Sequence, residues 1–132
     1  MPAIGAVRQV ALAAGRDLQR TLDFWRDVLG MPPHAVYDPP GMAFLMAGDV
    51  RLLVTEGVPP GTVYLDMAGL EDFCAAAAAA GVPFTALPAM VHRDVDGTFG
   101  PAGEEEWMAF LKDPAGNTIG LVERKPGSAA AP

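Results

Sequence analysis

Two hydrophobic rhythms alternate along this chain, and the same succession of them occurs twice. Val7–Ala14 is a small apolar run of strand character. Beyond Arg16-Asp17 the period lengthens: Leu18, Leu22, Trp25 and Leu29 fall at i, i+4, i+7 and i+11, which is one stripe of a helix. Asp17 suits the N-cap, and Gly30 followed by Pro32-Pro33 stops the helix. Strands are predicted near 34–38, 42–47 and 51–56, separated by Pro39-Pro40-Gly41 and Gly48-Asp49. Pro59-Pro60-Gly61 reads as a linker, after which the plan repeats. Thr62–Met67 is a strand, Leu70–Ala80 a helix ended by Gly81, and strands follow near 84–92, 105–111 and 118–123. The alanine run Ala75–Ala80 favours helix and lets it sit close to a sheet.

The repeat is also written in residues. Met42-Ala43-Phe44-Leu45 returns 66 positions later as Met108-Ala109-Phe110-Leu111. Each copy leads into a turn, Ala47-Gly48-Asp49 in the first and Asp113-Pro114-Ala115-Gly116-Asn117 in the second. Each turn leads into a short strand ending in Glu, Arg51–Glu56 and Thr118–Glu123. This order implies a duplicated βαβββ unit: a single α+β domain over 1–126 with modules 7–57 and 62–124, and a disordered tail at 127–132. Residues 94–104, rich in glycine, form a long loop placed to cover a site.

Composition narrows the functional classes. Of 132 residues, 51% are hydrophobic and 19% charged, a balance that excludes disorder. The one cysteine, Cys74, makes no internal disulfide and falls in a helical pattern, as a buried inert thiol does. Arg8, Arg16 and Asp17 break any secretory apolar segment. No apolar run reaches the roughly 18–20 residues needed to span a bilayer, and the expected location is cytoplasmic. A net charge of −7 without a Lys/Arg cluster argues against nucleic acid and anionic membrane surfaces.

Phe24-Trp25-Arg26-Asp27-Val28-Leu29-Gly30, at the end of the first helix, and Asp113-Pro114-Ala115-Gly116-Asn117, in the last turn, resemble the vicinal-oxygen-chelate superfamily. That superfamily includes glyoxalase I, methylmalonyl-CoA epimerase, extradiol dioxygenases, and fosfomycin- and bleomycin-resistance proteins. The resemblance covers residues 7–124. It implies two βαβββ modules whose sheets curl into a cup with the helices outside. Metal enzymes of this kind place ligands on the first and last strands of each module, positions that carry over to Gln9, Leu53, Thr62 and Gly120. Leu53 and Gly120 offer no ligand atom, and Gln9 and Thr62 are neutral oxygen donors. Moving each strand by one residue restores no metal site, so neither metal nor other cofactor is expected.

What remains is the cup wall. Strand alternation points Thr62, Tyr64 and Asp66 inward, together with Gln9, Ala11, Thr118, Gly120 and Val122. By resemblance, Met108 and Phe110 line it with Glu106 at the rim, and Met42 and Phe44 are their counterparts. Gln9, Phe44, Leu53, Thr62, Tyr64, Met108, Phe110 and Gly120 therefore form the expected ligand-binding set, with Tyr64 and Phe110 sandwiching a planar ligand. The same residues also suit plain core, or a face covered by a partner subunit. His92, across the hairpin from Glu106, is the candidate acid–base pair. His34 has no evident partner, and Trp25 and Trp107 read as packing residues.

Two functions stay open. One is a metal-free protein binding a small organic ligand, aromatic or apolar, as in drug sequestration. The other is a lyase or isomerase of the glyoxalase or epimerase type, either metal-free through His92 and Glu106 or using unrecognised metal ligands. A homodimer is expected, because open sheets leave edges and apolar faces to bury.

Overall fold

The computed structural model describes residues 2–127. In chain order the elements are β1 (Gln9–Ala13), α1 (Leu18–Asp27), β2 (Ala35–Tyr37), β3 (Met42–Ala47), β4 (Val50–Thr55), β5 (Thr62–Asp66), α2 (Leu70–Ala79), β6 (Ala86–Asp94), β7 (Glu104–Lys112) and β8 (Thr118–Lys125). This is βαβββ twice over, as the repeat predicts. The first sheet has the order β1-β4-β3-β2 and the second β5-β8-β7-β6, so in both the last strand lies beside the first. β1 runs parallel to β4, whereas β2, β3 and β4 pair antiparallel. Neither sheet closes into a barrel. Two compact units result among the described residues, one comprising the chain up to Thr62 with Asp113–Thr118, the other Val63–Lys112 with residues 119–127. Apart from Gly127, the tail expected at 127–132 lies outside the described residues. No helix among the described residues is long and apolar enough to cross a membrane.

In the first unit, alternation sorts β3 and β4 into two faces. Leu12, Ala43, Leu45, Leu52 and Val54 are all buried, and the register pairs Ala43 with Val54 and Leu45 with Leu52. These form the buried face of the sheet, and α1 adds the buried Leu22 and Trp25 to this unit. Leu18 and Leu29 are only half-buried, the frayed ends of the predicted stripe. Asp17 caps α1, accepting from the Arg20 backbone N–H at 3.1 Å. On the other face, Met42, Phe44 and Leu53 are half-buried.

The turn 113–117 completes this unit with a buried polar network. The Asn117 side chain accepts through Oδ1 from the N–H groups of Ala13 and Gly61, each at 3.0 Å. Its Nδ2 donates to the Ala13 carbonyl and to Asp113 Oδ2, each at 2.8 Å. Asp113 also accepts from the Trp25 indole N–H at 2.9 Å and from the N–H groups of Ala115 and Asn117. Trp25 is therefore a hydrogen-bonding residue as well as a packing one. No buried side-chain nitrogen or oxygen among the described residues lacks a partner, which is what makes burying Asp113 and Asn117 tolerable.

In the second unit α2 packs across β6 and β7. Its fully buried residues are Leu70 and Cys74, and burial pushes the Cys74 thiol above its ordinary range. The alanine run does not serve the close approach expected of it: within Ala75–Ala80 only Ala77 is even half-buried. Burial recurs at 70, 73, 74 and 77, one helical stripe, and the other alanines point away. No side chain of α2 caps its start. Glu123 reaches over from β8 instead, accepting from the N–H groups of Gly69 at 3.0 Å and Leu70 at 3.1 Å. The Gly69 N–H chiefly, with that of Leu70, holds the Glu123 carboxyl below its usual range.

Two stability outcomes follow from these contacts. Asn117→Ala should cost about 3 kcal/mol in denaturant unfolding, because it strands buried backbone groups at Ala13 and Gly61. Asn117→Asp should not restore stability, since it sets a second carboxylate against Asp113. Glu123→Gln should destabilise at neutral pH. The Glu123 carboxyl is held low in the folded state, so its contribution is complete above the ordinary value of 4.5 and fades as pH falls through the folded value. The stability gap between wild type and variant should therefore shrink on acidification. A gap that widened would contradict the cap.

Candidate functional site

Gly120 organises the face of the second sheet that lies away from α2. It is buried on β8, between β5 and β7. A Cβ built there would lie 2.6 Å from the Tyr64 ring and 3.0 Å from the Phe110 ring. The two aromatics, one from each neighbouring strand, meet over the missing side chain. Their centroids are 5.9 Å apart and their planes at 86°, an edge-to-face contact. An aromatic covering a sheet glycine in this way compensates the packing that glycine forgoes. Met108 and Phe110 are half-buried, and Tyr64 stays 56% exposed. The expected sandwich is corrected here. Rings already in edge contact leave no slot for a third ring, so Tyr64 and Phe110 form a continuous wall.

Alternation carries the same face to a charged end. On β7, Glu106 and Glu104 follow Met108, and on β8, Arg124 follows Gly120 and Val122. The Arg124 guanidinium donates to Glu104 Oε1 and Glu106 Oε2, each at 2.8 Å, and to Asp94 Oδ2 at 3.1 Å. These carboxylates, Glu104 first, push the Arg124 pKa up from its already high value, so it is a permanent cation. Asp94 is buried, and its carboxyl is held low chiefly by the Phe99 N–H, then by the Thr98 N–H and Arg124. Sequence reading missed Arg124. The signal was available, because counting in twos from Gly120 along β8 arrives at it.

The register sets His92 directly opposite Glu106. The Glu106 carboxylate, however, is engaged by Arg124, and His92 is exposed with no side-chain hydrogen bond among the described residues. Neighbouring Glu105 points to the other face, where it accepts from Arg93 at 2.6 Å and from the Trp107 indole at 3.0 Å. Lys125 lies 4.5 Å above the Trp107 ring on that face.

The first unit carries the remaining expected residues. Gln9 is exposed on β1 opposite Arg51, and half-buried Leu53 lies between Ala11 and Phe44. Phe44 meets Tyr37 edge-on at 6.1 Å and has the Arg51 guanidinium 5.8 Å from its centroid. Thr62 is exposed at the start of β5. The four positions that carry over from the metal enzymes do not fit a divalent ion. Leu53 is aliphatic, the side-chain space at Gly120 is filled by two rings, and Gln9 and Thr62 supply only neutral oxygens. Among the described residues, no three His, Cys, Asp or Glu side chains are grouped to hold a metal.

Comparison with known proteins places this arrangement. No curated protein matches the chain. Solved structures do. A lactoylglutathione lyase from Agrobacterium tumefaciens is 21% identical, with a TM-score of 0.66 over 92% of this chain and 96% of its own. A virulence protein from Salmonella typhimurium is 19% identical, with a TM-score of 0.68 over 92% and 98%. A member of the Glyoxalase/bleomycin resistance protein/dioxygenase superfamily from Sphaerobacter thermophilus is 21% identical, with a TM-score of 0.66 over 91% and 98%. At these identities the likeness is one of fold. The sequence profile reaches further, matching residues 7–121, and with the duplicated βαβββ fold behind it this chain belongs to the Glyoxalase/Bleomycin resistance protein/Dioxygenase superfamily.

Proposed function

We propose that the chain binds a small organic molecule, aromatic or apolar, on the face of its second sheet away from α2, without a divalent metal. The observation that carries this reading is the Tyr64–Phe110 pair over Gly120. Two rings fill the place of a side chain and offer a partly exposed apolar wall continuous with Met108. Such a surface suits a flat or greasy ligand. The net charge of −7 favours a neutral or cationic ligand over an anionic one. Sequestration of a drug-like compound is the activity such a surface serves without further chemistry.

The fold likeness to a lactoylglutathione lyase gives the lyase or isomerase reading its standing. It ranks second because Glu106, its proposed acid–base member, is paired to Arg124 rather than to His92. In the preferred reading the chain is a homodimer, which would cover exposed Leu87, Met90 and Val91 on the edge strand β6.

A thermal-shift screen of aromatic antibiotics and acyl thioesters should find a stabilising compound. Tyr64→Ala or Phe110→Ala should then weaken its binding roughly tenfold or more, on the order of 1–3 kcal/mol for a lost ring contact. His92→Ala should leave affinity unchanged. Loss of a measurable turnover in His92→Ala, with affinity intact, would hand the case to the enzyme reading. Light scattering at micromolar concentration should return the mass of two chains, and a monomer would remove the dimer from the proposal.

A further inference from the structure

The loop joining β6 to β7 is built onto the charged end of this same face. Asp94 receives it from inside the sheet: Oδ1 accepts from the Thr98 N–H at 2.7 Å and Oδ2 from the Phe99 N–H at 2.8 Å. The Asp94 backbone carbonyl accepts from Gly103 at 2.7 Å, which closes the loop at its base. Gly100 then lies flat on Arg124. A Cβ at Gly100 would be 2.9 Å from Nη2 and 3.1 Å from Cζ of the guanidinium. Arg124 is thus clamped at its rim by three carboxylates and covered on one side by loop backbone. The loop still carries large apolar side chains in water, with Val95 67% and Phe99 75% exposed.

Position gives this contact a consequence. Arg124 lies four residues along β8 from Gly120, and Glu106 four along β7 from Phe110, which is roughly 13 Å of extended strand. We infer that Arg124 is a latch holding residues 95–103 as a strap across one end of the ligand face, and that this strap sets the length of molecule the face accepts. The inference rests on the proposed binding face for its second half only. A ligand that covers the ring wall and stops short of Glu106 leaves the latch shut. A longer one has to lift Gly100 off the guanidinium. Arg124 is a positioning residue in this account: it acts through the loop, not by touching the ligand.

The latch is testable without any ligand. Amide hydrogen exchange should quicken at least tenfold at Thr98 and Phe99 in Arg124→Met, while the β7 and β8 amides around Ala109 and Leu121 keep their protection. Arg124→Met leaves three carboxylates facing one another, so a second variant guards against a folding defect. Gly100→Ala keeps every charge and inserts a methyl between loop and guanidinium, and it should quicken the same two amides. Unchanged exchange at Thr98 and Phe99 in both variants would overturn the latch. For the length limit, the probes are N-phenyl-1-naphthylamine and the rod-shaped 1,6-diphenylhexatriene, followed by fluorescence. Wild type should take the first and bind the second at least tenfold more weakly, and both variants should close that gap. Equal discrimination in wild type and variants would overturn the limit with the latch intact. If no form of the protein binds either probe, the binding face fails and the length limit with it, while the exchange result still decides the latch.

Discussion

Strand alternation is the constraint on which this structure depends. Successive side chains on a strand face opposite ways, so a sheet that commits one face to a helix leaves the other as a surface of independent chemistry. Met42-Ala43-Phe44-Leu45 and its copy at 108–111 show the division. Ala43, Leu45, Ala109 and Leu111 are buried completely, whereas the Met and Phe partners stay half-exposed on the other side. A shift of one residue would exchange the two sets. The burial of Leu45, and of Leu111 on the α2 side, therefore also fixes where Phe44 and Phe110 face.

The two modules share a topology and stabilise it by different chemistry. α1 carries its own cap in Asp17, whereas α2 starts at a glycine in the left-handed region and borrows the Glu123 carboxylate from β8. The first unit also has a buried carboxamide and carboxylate, Asn117 and Asp113, with every polar atom answered by backbone or by the Trp25 indole. Such a network specifies one position for the turn, because any displacement leaves polar groups buried and unpaired. Turn, strand end and helix are thereby tied to one geometry within this unit.

The free face of the second sheet is divided along its length. One end is apolar, a ring pair filling the gap above a glycine. The other is ionic, one guanidinium holding three carboxylates. Bringing Glu104, Glu106 and Asp94 together in a chain of net charge −7 is tolerable because Arg124 is placed among them. The same arrangement takes Glu106 away from His92, so cross-strand adjacency in the register does not by itself make an acid–base pair.

Local pattern determined most of the fold. The helical stripe, the glycine and proline punctuation and the repeated Met-Ala-Phe-Leu segment sufficed to place both helices and all the strands within a few residues, since hydrophobic period and turn chemistry are local properties. The turn at 113–117 was legible as a resemblance, and Tyr64, Phe110 and Gly120 could be set on one face by counting in twos. Tertiary structure decided what counting leaves open. That Tyr64 and Phe110 touch each other, rather than flank a slot, depends on strand spacing across a glycine. That Asn117 bonds residues at positions 13 and 61, that Glu123 caps a helix more than fifty residues earlier, and that Arg124 collects carboxylates from β6 and β7 depends on strand order. Hydrogen bonds and ion pairs between residues far apart in sequence leave no periodic trace, and the chemistry of this face is made of them.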